Sequence, residues 1–267
     1  MTSARSRLAV ALRTTPPALF FDIDDTFTTD GRITAEAFTA LWKASDAGIA
    51  CVPVTGRPAG WCDHIARMWP VAGVVGENGG CAFYREKGKL RRIDVLSPMK
   101  RAANRVKLDE LAVHILKAVP GAALASDQAY REYDLAIDYC EDVKPLGTEA
   151  VAAIVALFEA AGATAKVSSI HVNGWFGHYS KVEMSQRFAR EVLGLASVGQ
   201  NIFEDCVFVG DSPNDQPMFA AFPISVGVAN VKRFWEDLED KPRFVTRGEA
   251  GAGFAELVSA VLASQRP

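Results

Sequence analysis

The chain has 267 residues, 49% of them hydrophobic and 23% charged, with a net charge of −3. That length is natural for two compact units, and the composition is that of an ordinary soluble globular protein. The weakly negative balance excludes a general basic field for nucleic acid, so any anionic ligand has to be met by a local cluster of donors.

The five cysteines, Cys51, Cys62, Cys81, Cys140 and Cys206, are odd in number and none is spaced as C-x-x-C. That argues against a disulfide framework or a zinc site, and a reduced, cytoplasmic setting is expected. Residues 1–17 carry arginines and the short apolar patch LAVAL, which is too short for the apolar stretch of a signal peptide and is closed by Arg13. A frayed lead-in is expected there, and no run approaches the length of a membrane span.

Ala18 to Ile23 is an apolar run that stops at carboxylates, as in a strand buried on both faces of a parallel sheet. Residues 34–47 carry Phe38, Leu41 and Trp42 at helical spacing, with Thr34 as N-cap and Gly48 as the stop. Ile49 to Val54 reads as a second strand, Pro58 opens a helix to about Trp69, and Val71 to Val75 reads as a third strand. This alternation predicts a doubly wound, Rossmann-like α/β core.

The rhythm changes after Glu77-Asn78-Gly79-Gly80. Alternating charged segments, a helix near 107–118, a strand within 131–140, a helix near 148–161 and the segment around His171 predict an α+β unit over residues 82–175. Its antiparallel sheet is expected to keep one wet face. The core then comprises residues 1–81 and 176–267. Its second half holds a helix from Ser180, a strand at Cys206 to Val209, a helix opened by Pro213 and capped by Ser212, a strand at Ile224 to Val228, and helices over 230–239 and 252–264.

In an open parallel sheet, ligands bind beyond the carboxyl ends of the strands. Those ends carry Asp22-Ile23-Asp24-Asp25-Thr26, Thr55-Gly56-Arg57 and Gly210-Asp211-Ser212-Pro213-Asn214-Asp215. Acids gathered at one edge repel each other unless a cation or protons neutralise them, and hard oxygen ligands of this kind suit Mg²⁺. Two geometries stand for Asp22 and Asp24. Either the strand persists and both side chains share a face, or the backbone turns after Asp22 and the two carboxylates diverge. Ser180-Lys181-Val182-Glu183 has the capping-box pattern, which sets Lys181 at a helix N-terminus as an anchor for phosphate.

These motifs, FFDIDDT at 20–26, VTGR at 54–57, Lys181 after the inserted unit and VGDSPND at 209–215, resemble those of the haloacid dehalogenase superfamily. The likeness is to the subgroup with a large α+β cap, among them Cof-like, sucrose-phosphate, mannosyl-phosphoglycerate and trehalose-phosphate phosphatases. ENGG at 77–80 is similar to the signature these proteins carry where the cap begins. The resemblance implies a phosphatase that forms an aspartyl phosphate on Asp22, with Asp24 as acid and then base. It implies Mg²⁺ at Asp22, the Asp24 carbonyl and Asp211, phosphoryl oxygens held by Thr55, Gly56 and Lys181, and an orienting role for Asn214 and Asp215. Position 25 is Asp where many relatives have Gly. True dehalogenases lack the second Asp, so Asp24 favours phosphate chemistry.

Alone, Thr55 reads equally as a turn hydroxyl, and Arg57 reads better as an ion-pair partner than as a substrate ligand. Asn78, His171 and Asn173 are candidates for contact with the substrate, against a rival reading as hinge packing around Trp175. The expected substrate is a small phosphorylated metabolite, in particular a sugar phosphate, handled by a monomer or homodimer without nucleic acid or membrane. Two rivals remain at this stage: a phosphoryl transferase of the phosphomutase kind, and a silent ligand-binding protein of the same fold.

Overall fold

The computed structural model describes residues 15–168, 170–196 and 201–263. Most of the expected lead-in, residues 1–14, lies outside them. Strand β1 (Ala18–Phe21) leads through a short hairpin, β2 (Thr28–Thr29) and β3 (Arg32–Ile33), into helix α1 (Ala35–Asp46). Then come β4 (Ala50–Pro53), α2 (Ala59–Met68), β5 (Gly73–Gly76), β6 (Cys81–Glu86) and β7 (Lys89–Asp94). A second group follows: α3 (Pro98–Ala118), β8 (Ala123–Leu124), β9 (Asp134–Asp138), α4 (Thr148–Ala160), β10 (Thr164–Val167) and β11 (His171–Trp175). The chain closes with α5 (Lys181–Glu191), β12 (Val207–Gly210), α6 (Gln216–Ala221), β13 (Ile224–Gly227), β14 (Phe244–Val245) and α7 (Ala250–Ala263).

The main sheet runs β14-β13-β12-β1-β4 with every neighbouring pair parallel. Alternation along β1 explains its two covered faces. Leu19 and Phe21 pack with Leu41 of α1 and Phe254 of α7. Ala18 and Phe20 pack with Phe188 of α5 and Phe219 of α6. The expected doubly wound core is therefore present, with helices on both faces of a parallel sheet.

A parallel bridge between Val54 and Val75 joins β5 to this sheet, and β6 and β7 continue it in antiparallel pairing. Residues 82–94, grouped by their charged alternation with the inserted unit, thus lie along the edge of the main sheet. Pairing with β5 satisfies a backbone edge that would otherwise be open.

The second sheet is antiparallel, in the order β10-β11-β9-β8. Leu135, Ile137 and Val172 on one face pack against Leu108 and Ile115 of α3 and against Ile154 and Phe158 of α4. The opposite face carries Asp134, Asp138, His171 and Asn173, and it is not wet: every residue of β9 and β11 is buried. The expectation of a solvated face fails because that polar face lies over the strand ends of the main sheet.

Helix α3 starts nine residues before the expected point. The Ser97 hydroxyl accepts from Lys100 N–H at 3.3 Å, and Pro98 opens the first turn. Before Leu108 this helix buries only Asn104, so its apolar periodicity begins late. The expected helix at 230–239 is a 3₁₀ segment, Ala229–Phe234, tied down where Asn230 accepts from Ala250 N–H and donates to the Asp25 carbonyl. Pro213 likewise opens a 3₁₀ turn before α6, and the Ser212 hydroxyl donates to Asn214 Oδ1 at 3.0 Å instead of capping a helix.

The packing of α4 on β11 is tight: a Cβ on Gly174 would lie 2.1 Å from the Phe158 ring. Phe158 is fully buried. Phe158→Ala is expected to cost about 3–5 kcal/mol, because a large ring leaves a cavity that its neighbours cannot fill. Urea unfolding of the variant against the parent measures it.

Candidate active site

Asp22 sits one residue past β1, with its N–H on the Val209 carbonyl at 2.9 Å. The backbone then turns: Phe27 and Thr28 N–H both reach the Ile23 carbonyl at 2.9 Å. Asp25 takes φ 55°, in the left-handed region that glycine prefers and that Asp tolerates. Asp at this position therefore takes a conformation that glycine would also accept. Of the two geometries open to the sequence, the turn is the one adopted, and the two carboxylates diverge. Asp22 faces Lys181, whereas Asp24 pairs with Arg57 at 2.9 Å.

Lys181 is the first residue of α5. Its N-cap, Ser180, accepts from Glu183 N–H at 3.2 Å. From this position the Lys181 ammonium donates to Asp22 Oδ1 at 2.8 Å and to Asp215 Oδ1 at 2.9 Å. Asp215 Oδ2 accepts from Asp211 N–H at 3.1 Å. That approach needs Gly210, since a Cβ there would lie 2.4 Å from Asp215 Oδ2. Asp211 is held from the far side, accepting from Thr26 Oγ1 at 3.0 Å and from Asn230 Nδ2 at 3.3 Å.

Asp22, Asp211 and Asp215 are all buried, and each offers an oxygen within 4.8 Å of the others'. Burial, above all, raises the Asp22 carboxyl to about 8, with Asp215 and Asp24 adding repulsion and Lys181 opposing them. Asp211 is also pushed well above the ordinary range, by burial first and then by Asp215 and Asp22. Burial works against the Lys181 charge, yet Asp215 and Asp22 hold the ammonium above its usual value. One buried ammonium among three buried carboxylates leaves a deficit of positive charge, and the donors are hard oxygens. A small divalent cation fits that set.

The remaining expected residues are distributed around this cluster. A small cleft is lined by Asp22, Asp24, Gly56, His171, Asn173 and Asn214, among others. Thr55 is fully buried, and its hydroxyl accepts from Arg57 N–H at 3.0 Å, which is the turn role. Asn214 contacts Ser212, and Lys181 is held by the two aspartates. Asn78 and Asn173 both donate to Asp134 Oδ2, at 3.4 and 3.0 Å. His171 Nε2 lies 2.8 Å from Glu141 Oε2.

Sequence reasoning singled out Arg57 as an ion-pair partner, but not the acids or Arg131 that join it in tying the second sheet to the main one. Arg57 pairs with Asp24 and also with Glu141 at 2.9 Å and Asp127 at 3.4 Å. Arg131, also buried, pairs with Asp127 at 2.9 Å and Asp134 at 3.1 Å, and donates to the Gly56 carbonyl at 2.8 Å. Glu77 accepts four backbone N–H groups, from Ala59, Glu132, Tyr133 and Asp134, at 2.6–3.1 Å. Burial raises its carboxyl to about 7, with Asp134 adding to it and the Glu132 N–H pulling back. Glu77 and Asn78 have φ of 44° and 55°, backbone that these anchors hold in place. The available signal was an Arg, Asp and Glu content too high for a strand region that carries Leu135 and Ile137. Asn230 had a weaker one, as a polar residue just past β13.

Residues 19–115 match the family of haloacid dehalogenase-like hydrolases. The chain is 26% identical to the phosphoglycolate phosphatase of Methanothermobacter thermautotrophicus over 245 residues, which is 90% of this chain and 96% of that protein. A Thermoplasma acidophilum crystal structure superposes with a TM-score of 0.71 at 18% identity, covering 93% of this chain and 99% of that one. The sucrose-phosphatase of Synechocystis, solved with sucrose and phosphate, gives 0.61 at 15% identity, covering 93% and 98%. At such identities the two solved structures establish the fold. No helix among the described residues is long and apolar enough to cross a membrane.

The Glu141 pairs have a defined pH signature. His171, and then Arg57, lower its carboxyl to about 2 against the effect of its burial. A depressed folded-state value adds stability that is complete above the unfolded value of 4.5 and is lost as the pH falls towards 2. Glu141→Gln is therefore expected to be less stable than the parent near neutrality, with the difference shrinking through that acid window. Urea unfolding at a series of pH values reads it directly.

Proposed function

We propose that this chain is a Mg²⁺-dependent phosphatase that hydrolyses a small phosphomonoester, in particular a sugar phosphate, through an aspartyl phosphate on Asp22. The observation that carries this reading is the Asp22 carboxylate. It is buried at the end of β1, 2.8 Å from the Lys181 ammonium and in one oxygen cluster with Asp211 and Asp215. A structural role alone would not gather three buried acids around one lysine, because each is costly to bury unless a cation or substrate uses it.

In the proposed reaction an Asp22 oxygen attacks phosphorus, and the bond from phosphorus to the alcohol oxygen breaks. Asp24 gives its proton to that departing oxygen. It then takes a proton from the water that attacks the aspartyl phosphate, which frees inorganic phosphate and restores Asp22. Lys181, with Thr55 and Gly56, holds the phosphoryl oxygens and offsets charge that spreads over them in the transition state. Asp215 keeps Lys181 aimed, and Asn214 lies on the cleft wall beside the water's approach. Mg²⁺, bound by Asp22 and Asp211 with the Asp24 carbonyl, would neutralise charge between nucleophile and phosphate.

The unit built on β8–β11, within residues 82–175, acts in this reading as the cap that chooses the substrate, with the polar face of β9 and β11 turned to the cleft. His171 and Asn173 line the cleft and would meet the substrate there, whereas Asn78 is turned to Asp134. The names of the phosphoglycolate phosphatase and the sucrose-phosphatase support ester hydrolysis as the shared chemistry.

Phosphate release from a panel of phosphomonoesters, measured with Mg²⁺ and with EDTA, tests the proposal. Release is expected only with metal and is expected to vanish in Asp22→Asn. Asp24→Asn should lower turnover by about 10²–10⁴-fold, the usual worth of a general acid–base. Transfer of phosphate to an added sugar in preference to water, or release that persists in Asp22→Asn, would overturn it.

A further inference from the structure

A second space opens beside the cleft, between the β2–β3 hairpin, helix α2 and the loop at Tyr130. It is a broad, open groove, and its lining includes Ile33, Trp61, His64, Trp69 and Tyr130. Asp24 and Arg57, paired with each other at 2.9 Å, line this groove and the cleft over Asp22 alike, so they form the wall that the two spaces share. The Arg57 guanidinium lies 4.7 Å from the Trp61 ring centre, which sets that ring against the shared wall. Tyr130 packs against Gly60, which lies in the same helix as Trp61, since a Cβ there would lie 3.0 Å from the Tyr130 Cβ. Trp61 and Tyr130 remain 42% and 59% exposed, enough ring surface to cover a ligand.

The direction of the reaction says what would occupy this groove. In an in-line displacement the departing oxygen leaves on the side of phosphorus opposite Asp22 and must reach the acid, Asp24. The alcohol attached to it therefore extends beyond Asp24, where the groove begins. Among the cations near that alcohol, Arg32 lines the groove from the exposed β2–β3 hairpin, and the others are already committed. Lys181, Arg57 and Arg131 are each already in ion pairs with carboxylates. The groove offers mainly apolar and aromatic surface.

Building on the phosphatase reading, we propose that the groove is the leaving-group subsite and that Trp61 and Tyr130 select phosphomonoesters whose alcohol carries a ring with an apolar face. Stacking on two side chains recognises such a ring through its flat surface, without requiring a charged group. A compact, anionic alcohol such as the glycolate half of phosphoglycolate leaves this surface uncovered.

Benzyl phosphate and ethyl phosphate test the subsite, because their alcohols differ chiefly in the ring. The parent is expected to show a higher kcat/KM for the benzyl ester. Tyr130→Ala, and Ile33→Trp as a variant that fills the groove from the exposed hairpin, should each lower the benzyl-to-ethyl ratio roughly tenfold. Calorimetric binding of benzylphosphonate and ethylphosphonate gives the same comparison without turnover. A protein that releases phosphate from both esters with no benzyl preference, or whose ratio is unmoved in both variants, overturns the subsite and leaves the phosphatase reading standing. A protein that hydrolyses neither ester yet binds benzylphosphonate the more tightly, in a way that Tyr130→Ala removes, keeps the subsite and overturns the catalytic reading. Equal binding of the two phosphonates by such a protein overturns both.

Discussion

The ammonium of Lys181 is the interaction on which the rest of the site depends. It lies between Asp22 and Asp215, at 2.8 and 2.9 Å, in a pocket where all three groups are almost wholly buried. Carboxylates removed from water at such spacing repel one another strongly, and a single fixed cation only partly offsets that. The site is thus short of positive charge by construction. That shortage, and not any one hydrogen bond, is what a small cation at the edge of the sheet would relieve.

Each member of the cluster comes from a different part of the chain. Asp22 ends β1, Asp211 and Asp215 follow β12, and Lys181 opens α5. Parallel pairing of β1 with β12 brings the first two segments side by side, with Phe21 opposite Val209. Large-ring packing of Phe20, Phe208 and Phe222 beneath the site keeps the two strands in that register. Thr26 and Asn230 then fix Asp211 from the side facing away from Asp215.

A second electrostatic layer decides how the inserted unit sits. Glu77 binds the backbone at 132–134, Arg131 reaches back to Gly56, and Arg57 joins Asp24 to Asp127 and Glu141. These buried pairs satisfy one another, which is the condition under which charges are tolerated away from water. They also place Arg57 and Asp24 in the wall between the small polar cleft and the larger aromatic groove. The alternating strands β9 and β11 gain a dry polar face as a result, since that face meets the main sheet instead of solvent.

The sequence alone determined the parallel core and its acidic edge. Short apolar runs that end in carboxylates encode both the burial of a strand and the point where it emerges, so Asp22, Asp24, Asp211 and Lys181 were legible from local pattern. The N-caps Thr34 and Ser180 were legible for the same reason, because capping is settled within one helical turn. Only the tertiary structure decided that β6 and β7 extend the main sheet, that Asp24 turns away from Asp22 to Arg57, and that Asp134, Glu141 and Arg131 are buried partners. Those outcomes rest on contacts between residues far apart in the chain, such as Arg57 with Glu141 and Asn78 with Asp134. Local periodicity carries no record of a long-range ion pair, because whether a charged residue is exposed or paired depends on what folds over it.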